Sequence, residues 1–161
     1  MCGIAGIISA NQQLVSTERL KAMTDAIAHR GPDGEGFWMN ENKTAGFGHR
    51  RLAIIDLSDA AAQPFHYLNR YSITYNGEIY NYIELKEELL KKGYQFRTQS
   101  DTEVILAAYD CWKEECLQQF DGMFAFAIWD KQEQTVFSAR DRFGEKPFYY
   151  FFDGEQFVFA S

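Results

Sequence analysis

Apolar residues recur at spacings of three and four in several segments of the chain, the pattern of helices that bury one face. The predicted helices cover residues 16–29, residues 82–92, a segment that starts at 100–103 and a short segment over 114–120. Ser16, Asn81 and Ser100 stand where side-chain caps are expected, and Ser100 with Glu103 has the spacing of a capping box. Gly93 is the expected end of the second helix.

Runs of β-branched and aromatic residues predict strands around these helices. The predicted strands cover residues 2–9, 36–39, 45–55, 71–75, 123–129, 135–139, 148–152 and 157–160. The run at 123–129 is apolar at every position, which indicates a strand covered on both faces. Because the helices are few and clustered, we expect an α+β fold with a mainly antiparallel sheet. Two sheets packed together, with helices outside, would cover such strands.

Composition narrows the kinds of partner that the chain can have. Its 161 residues suit one domain, and 16 Lys and Arg against 23 Asp and Glu give a net charge of −7, which disfavours nucleic acid. No apolar run approaches the ~20 residues that cross a bilayer, and the start lacks the pattern of a signal peptide. The cysteines and histidines lack metal-binding spacings. We therefore expect a cytoplasmic, metal-free domain that binds neither nucleic acid nor membrane, with the charged segments at 30–31 and 140–144 as internally paired loops.

Cys2 is the first candidate for chemistry. Removal of Met1, which is usual before a small residue, would leave a cysteine with both a thiol and a free α-amine. An α-amine titrates at about 7.7–8.0, which suits a general base near neutral pH. One residue would then supply both nucleophile and base. The alternative interpretation is a buried structural thiol at the start of a strand.

Asn76 and Gly77 allow two interpretations. The Asn-Gly pair is a strong signal for a hairpin turn. The residues after it run towards the expected cap Asn81 without alternating, which favours a bend from strand to helix. Such a bend can direct a glycine N–H and an amide side chain at one point, as stabilisation of an oxyanion requires.

Two charged residues suit a substrate that carries both charges. Arg51 lies in an otherwise apolar predicted strand, where its planar fork could hold a carboxylate, while Arg50 would point to the other face. Asp101 follows the cap Ser100 and could bind an ammonium group. The alternatives are a solvated edge or an ion pair with Asp56 for Arg51, and an interaction with the helix dipole for Asp101.

Taken in order, the motifs of this chain resemble those of class II glutamine amidotransferases. The start, residues 1–6, resembles the N-terminus of that class, and the later motifs closely resemble its asparagine synthetase branch. These later motifs are residues 29–33, 49–52, 76–81, 100–103, 122–127 and 140–147. Each motif alone is weakly specific, but their order along essentially the whole chain is very specific.

The resemblance implies a fold and a set of roles. The fold is that of N-terminal nucleophile hydrolases, a four-layer αββα sandwich of two mainly antiparallel sheets. Cys2 would be the nucleophile and, through its α-amine, the base, while Asn76 and Gly77 would form the oxyanion hole. The implied substrate-binding groups are Arg51 for the glutamine α-carboxylate, Glu78 and Asp101 for its α-ammonium, and the backbone near Ile54 and Ile55.

The implied reaction is hydrolysis of glutamine to glutamate and ammonia through a Cys2 thioester, with the ammonia passing to an asparagine synthetase domain. In that family the region ending at 161 continues into a synthetase domain that uses ATP and Mg²⁺, and its Gly-rich pyrophosphate loop is not found in residues 1–161. We therefore expect 1–161 to be the glutaminase domain alone, without cofactors. Apolar surface that would meet the synthetase domain is expected to be exposed, so homo-oligomers are plausible.

Two alternatives keep part of this interpretation. The same chemistry could supply another acceptor, such as a sugar or a β-lactam precursor. If Met1 is retained, the amine of Cys2 is blocked as an amide, and the domain would instead dock to or regulate a partner. A general N-terminal nucleophile amidase or protease is disfavoured, because Arg51 and Asp101 suit a zwitterion rather than a peptide.

Overall fold

The structure, a computed structural model, describes residues 2–52 and 62–161. Its helices and strands follow one another in the order β1 (Gly3–Ser9), α1 (Thr17–Ala26), β2 (Gly34–Met39), β3 (Ala45–Arg51), β4 (Phe65–Tyr67), β5 (Tyr71–Ile79), α2 (Tyr82–Lys91), α3 (Asp101–Trp112), β6 (Gly122–Asp130), β7 (Thr135–Arg140), β8 (Tyr149–Phe152) and β9 (Gln156–Ala160). Short 3₁₀ helices lie at Gln12–Leu14, Ala28–Arg30 and Lys113–Gln118. None of the described helices is long and apolar enough to cross a membrane.

The strands form two antiparallel sheets. The first sheet has the order β2-β3-β1-β9-β8, and the second has the order β4-β5-β6-β7. One apolar cluster joins α1 to the first sheet, a second lies between the sheets, and a third joins the second sheet to α2 and α3. The predicted four-layer αββα sandwich of class α+β is therefore confirmed.

Strand β6 explains why a strand can be apolar at every position. Ala125, Ala127 and Trp129 face the first sheet. Phe124, Phe126 and Ile128 alternate with them and pack against the helices. Both faces of the second sheet are therefore buried, as the pattern at 123–129 predicts.

Most predicted bounds agree with the structure, but β4 was not predicted, β5 extends to Ile79 rather than to residue 75, and two helix ends differ. The first helix stops at Ala26 and continues as a 3₁₀ turn, and the segment after α3 is also 3₁₀ rather than α-helical. Ser16 and Ser100 cap as predicted, accepting hydrogen bonds from the N–H groups of Arg19 and Thr102. Gly93 ends α2 with a positive φ of 95°, a conformation that favours glycine.

Two predicted caps are wrong in detail. Asn81 makes no capping hydrogen bond in α2; its side chain instead joins Gln119 O and Asp121 N across the chain. Glu103 does not complete a capping box with Ser100. Its carboxylate is fully buried and accepts from the backbone of the 97–98 segment, because that loop packs directly over the start of α3.

Candidate active site

The alternation of side chains along three strands brings the predicted site residues to one end of the space between the sheets. In β3, Ala45 and Phe47 face the second sheet, so Arg51, on the same side of the strand, faces it too. Ile4 of β1 faces the second sheet in the same way, which directs Cys2 there. From the second sheet, Thr74 of β5 reaches Gly48 O of β3.

Cys2 is held by its neighbours in both side chain and backbone. The N–H of Leu52 lies 3.3 Å from its Sγ, and Nε of Arg30 donates to its carbonyl oxygen at 3.2 Å. Burial raises the pKa of the Cys2 thiol, although the Leu52 N–H and the charges of Arg51 and Lys146 act in the opposite direction. The thiol form is therefore favoured near neutral pH, and a base is needed to produce the thiolate.

Asn76 lies on the face of β5 that is directed at the first sheet, like Thr74 two residues earlier. It is only 2% exposed, and its Nδ2 is buried without a hydrogen-bond partner among the described residues. Buried amides almost always have partners. This N–H group can donate a hydrogen bond to an oxygen atom of a bound molecule.

The prediction of a bend or turn at Asn76 and Gly77 is wrong, because β5 continues straight through both residues to Ile79. Gly77 is paired with Phe124, whose backbone bonds to Asp141 on its other side. Gly77 and Phe124 are therefore a pair that exchanges no backbone hydrogen bonds. The Gly77 N–H points away from β6, towards the β4 side of the sheet. Strand β4 pairs only with residues 71–73 of β5, so it does not extend as far as Gly77.

Gly77 also has a steric reason to be glycine. A Cβ at this position would lie 2.3 Å from Met123 O and 2.7 Å from the Cα of Phe124. Both contacts are with backbone of the neighbouring strand, which cannot move without disturbing the sheet. The close approach of two strands, rather than a turn, accounts for the Asn-Gly pair.

The two adjacent arginines of β3 face opposite sides, as predicted. Arg50 lies on the α1 side, where it forms ion pairs with Asp25 and with Glu35, the latter at 2.8 Å. Arg51 faces the site, where its charge acts on both Cys2 and His49. Of these two arginines, Arg51 is therefore the one whose charge lies at the Cys2 end of the sheets.

Asp101 begins α3 but is oriented towards β5 rather than serving only the helix. It is 5% exposed, and its Oδ2 accepts from the Tyr75 hydroxyl at 2.7 Å and from Ile79 N at 3.1 Å. Burial raises the pKa of Asp101 and the nearby Glu78 adds to this, while its hydrogen bonds oppose the shift. Glu78, half-buried at the end of β5, is therefore near enough for its charge to act on Asp101.

Ile54 and Ile55, the remaining predicted site residues, lie outside the described residues.

The structure adds three residues to the site that sequence reasoning did not select: Arg30, His49 and Tyr75. His49 is buried and its Nε2 lies 3.2 Å from Tyr75 O. Its position two residues before Arg51 was a usable signal, because it places both side chains on one face of the strand.

The segment at 140–144 forms a structural loop, as predicted. Asp141 accepts hydrogen bonds from the backbone N–H groups of Phe124, Phe143, Glu145 and Lys146, and these bonds lower its pKa although burial opposes them. Lys146 is 4% exposed, and its charge reaches Cys2. The loop therefore also contributes positive potential to the site.

A separate cavity of about 270 Å³ lies at the opposite end of the sheets, among the turns that contain Asn40, Asn69 and Lys131. Its two cations are already paired, Arg70 with Asp130 and Lys131 with Glu41. Among the residues described, no three His, Cys, Asp or Glu side chains are arranged to hold a metal. The Cys2 end is the stronger candidate for catalysis, because it combines a thiol, the buried Asn76 Nδ2 without a partner among the described residues, the charge of Arg51 and the Asp101 carboxylate.

Comparisons with known proteins agree with this geometry. The model of a family described as "Glutamine amidotransferase domain" matches residues 1–161. Asparagine synthetase (glutamine-hydrolyzing) 1 of Bacillus subtilis is 48% identical over 100% of this chain and 26% of its own length. A putative asparagine synthetase (glutamine-hydrolyzing) 2 of Methanocaldococcus jannaschii is 45% identical over 100% of this chain and 34% of its own.

A solved structure shares the fold. Glutamine phosphoribosylpyrophosphate amidotransferase from B. subtilis superposes with a TM-score of 0.76 at 23% identity, covering 99% of this chain and 41% of that one. The chain thus spans about a quarter to a third of the length of the two curated relatives.

Proposed function

The chain belongs to the glutamine amidotransferase domain family, and on this premise we propose that its site hydrolyses glutamine to glutamate and ammonia with Cys2 as nucleophile. The observation that carries the proposal is the buried Nδ2 of Asn76 at the Cys2 end of the sheets, which has no hydrogen-bond partner within residues 2–52 and 62–161. A donor without an acceptor is costly in a resting site, but it suits a site in which an oxygen acquires negative charge during reaction.

The proposed reaction begins once removal of Met1 frees the α-amine of Cys2. That amine takes the thiol proton, and the thiolate attacks the δ-carbonyl carbon of glutamine. Asn76 Nδ2 and the Gly77 N–H donate to the resulting oxyanion. The protonated amine gives its proton to the leaving nitrogen, so ammonia departs and a thioester remains. Water, deprotonated by the same amine, then hydrolyses the thioester to glutamate and restores the thiol.

Recognition is proposed to use the charges at the α-carbon of glutamine. Arg51 binds the α-carboxylate, for which its planar fork is suited. Asp101 and Glu78 bind the α-ammonium. Asp101 is buried, Glu78 is half-buried, and the charge of Glu78 acts on Asp101, so the two acids together favour a cation. Fixing one end of the substrate in this way holds its amide at the thiol.

Intact mass spectrometry with a glutamine-like electrophile tests the proposal. The purified chain is expected to lack one methionine mass and to gain a single adduct from diazo-oxo-norleucine, located on Cys2. Cys2→Ala should gain no adduct and release no glutamate. Retained Met1 with no adduct would overturn the proposal for this chain and favour a docking or regulatory role.

The ammonia is proposed to pass to a synthetase that converts aspartate to asparagine, since the two curated relatives carry that name and are three to four times as long. ATP and Mg²⁺ would act in that synthetase part, because the steps above need only groups of this chain. A cytoplasmic location is in keeping with three free cysteines, a state that reducing compartments maintain.

Strand β8 is the proposed contact surface for the synthetase part. It is the last strand of the first sheet, and its four aromatic side chains, Tyr149, Tyr150, Phe151 and Phe152, are 57% to 72% exposed. Because strand side chains alternate, Tyr149 and Phe151 share one face and Tyr150 and Phe152 the other, and exposed aromatic surface is typical of protein interfaces.

A further inference from the structure

All three polar groups of Tyr75 are engaged, and each by a different part of the fold. Its N–H donates to Gln63 Oε1 at 2.6 Å, and its carbonyl oxygen lies 3.2 Å from His49 Nε2 on the first sheet. Its hydroxyl donates to Asp101 Oδ2 on α3 at 2.7 Å. Tyr75 immediately precedes Asn76, so these bonds fix the strand where the oxyanion donors begin.

His49 has the properties of a permanent donor to this strand. It is 1% exposed, and burial together with the nearby Arg51 lowers its pKa to about 4, so the ring is neutral at physiological pH. A carbonyl oxygen can only accept, which assigns the proton to Nε2. The carbonyl that it holds belongs to the peptide bond whose nitrogen is that of Asn76, so the bond sets the orientation of the Asn76 backbone.

The Tyr75 hydroxyl acts on the other half of the site. Burial and the Asp101 carboxylate raise the pKa of Tyr75 well above its usual value, so the hydroxyl keeps its proton and donates. Asp101 Oδ2 receives this bond and the Ile79 N–H together. These two bonds, to which the Thr102 N–H adds, give the carboxylate a fixed orientation towards a substrate ammonium group.

We propose that His49 and Tyr75 are positioning residues with separate tasks: His49 holds the strand that carries the oxyanion donors, and the Tyr75 hydroxyl holds Asp101 for the substrate ammonium. The inference rests on the proposed glutaminase function and deepens it. The Tyr75 carbonyl bonds to His49 on the first sheet, and the Tyr75 hydroxyl bonds to Asp101 on α3. Because the two bonds fix different parts of the site, their loss should affect different kinetic parameters. Loss of the His49 bond weakens transition-state stabilisation, and loss of the hydroxyl weakens binding.

Steady-state glutamate release by the purified chain and its variants tests the inference. His49→Gln can place an amide N–H near the former Nε2, whereas His49→Asn is too short to reach Tyr75 O. His49→Asn is expected to lower kcat about 10²-fold with KM nearly unchanged, and His49→Gln should recover most of this loss. The comparison does not depend on stability alone, since both variants bury one neutral amide.

Tyr75→Phe provides the matched test of the other bond. It keeps the ring and the backbone bonds but removes the hydroxyl, and KM should rise about tenfold with a smaller change in kcat. Equal losses in His49→Gln and His49→Asn, or a kcat effect that follows the fall in Tm, would overturn the inference. If the unchanged chain released no glutamate, the result would instead overturn the proposed function, and this inference with it.

Discussion

Replacement of Asn76 by Leu should make the protein more stable and far less active. Leu has nearly the same shape as Asn, so the space between the sheets stays filled. The substitution removes a buried N–H that has no hydrogen-bond partner in the described parts of the chain, a group that costs about 1–3 kcal/mol. We therefore expect the free energy of unfolding to rise by about 1–2 kcal/mol, while loss of one oxyanion donor lowers kcat by about 10²–10³-fold.

Urea unfolding at constant m-value measures the first quantity, and glutamate release measures the second. Thr74→Val is the matched control, because Thr74 lies on the same face of β5 and its hydroxyl donates to Gly48 O at 3.2 Å. That variant loses a satisfied bond, so it should be destabilised by about 1 kcal/mol and remain active. Lower stability together with retained activity in Asn76→Leu would refute both the unpartnered state of the amide and its role.

Three further predictions follow from other parts of the structure. Arg51→Lys should raise KM for glutamine about tenfold, because an ammonium group cannot replace the planar fork; steady-state kinetics should show little change in Arg50→Lys, which faces α1. The pKa of His49 falls from 6.5 in the unfolded chain to about 4 in the folded protein, so its contribution to stability is complete above pH 6.5 and is lost as pH falls towards 4. Between pH 7.5 and 5, the free energy of unfolding, measured with urea, should therefore fall by about 2 kcal/mol more in the unchanged chain than in His49→Gln. Parallel pH dependences of the two proteins would contradict this. The chain should self-associate through β8 at high concentration, and light scattering should show that changing Tyr149 and Phe151 to Lys prevents it; a monomeric unchanged chain would count against that surface.

Features that depend on local alternation could be predicted from the sequence. The opposite directions of Arg50 and Arg51 follow from the two-residue repeat of a strand, and the structure shows both. The fully apolar run at 123–129 indicated burial on both faces, and β6 is buried in that way. These patterns need no knowledge of distant partners, because a strand presents its two faces whatever it pairs with.

Features that depend on partners far along the chain could not be predicted in this way. Asn76 and Gly77 have the composition of a turn, but pairing with β6 keeps them extended, and the crowding that requires Gly77 comes from Met123 and Phe124. Glu103 has the spacing of a capping box, but the 97–98 segment supplies closer donors. At Asn76 and Gly77 a contact from far along the chain outweighed the local preference that the sequence displays, whereas at Glu103 the competing donors lie only five and six residues away.

The resting site combines several groups that burial leaves unfavourable. Asn76 Nδ2 has no acceptor among the residues that the structure describes, Asp101 is a carboxyl whose pKa burial raises, and Cys2 is a thiol whose ionisation burial opposes. A molecule with an ammonium group at one end and a carbonyl at the other would relieve the first two together. Glutamine has both groups, and its binding should therefore stabilise the fold by mass action. The free energy that burial of these groups costs is thus the free energy that binding of the proposed substrate is expected to recover.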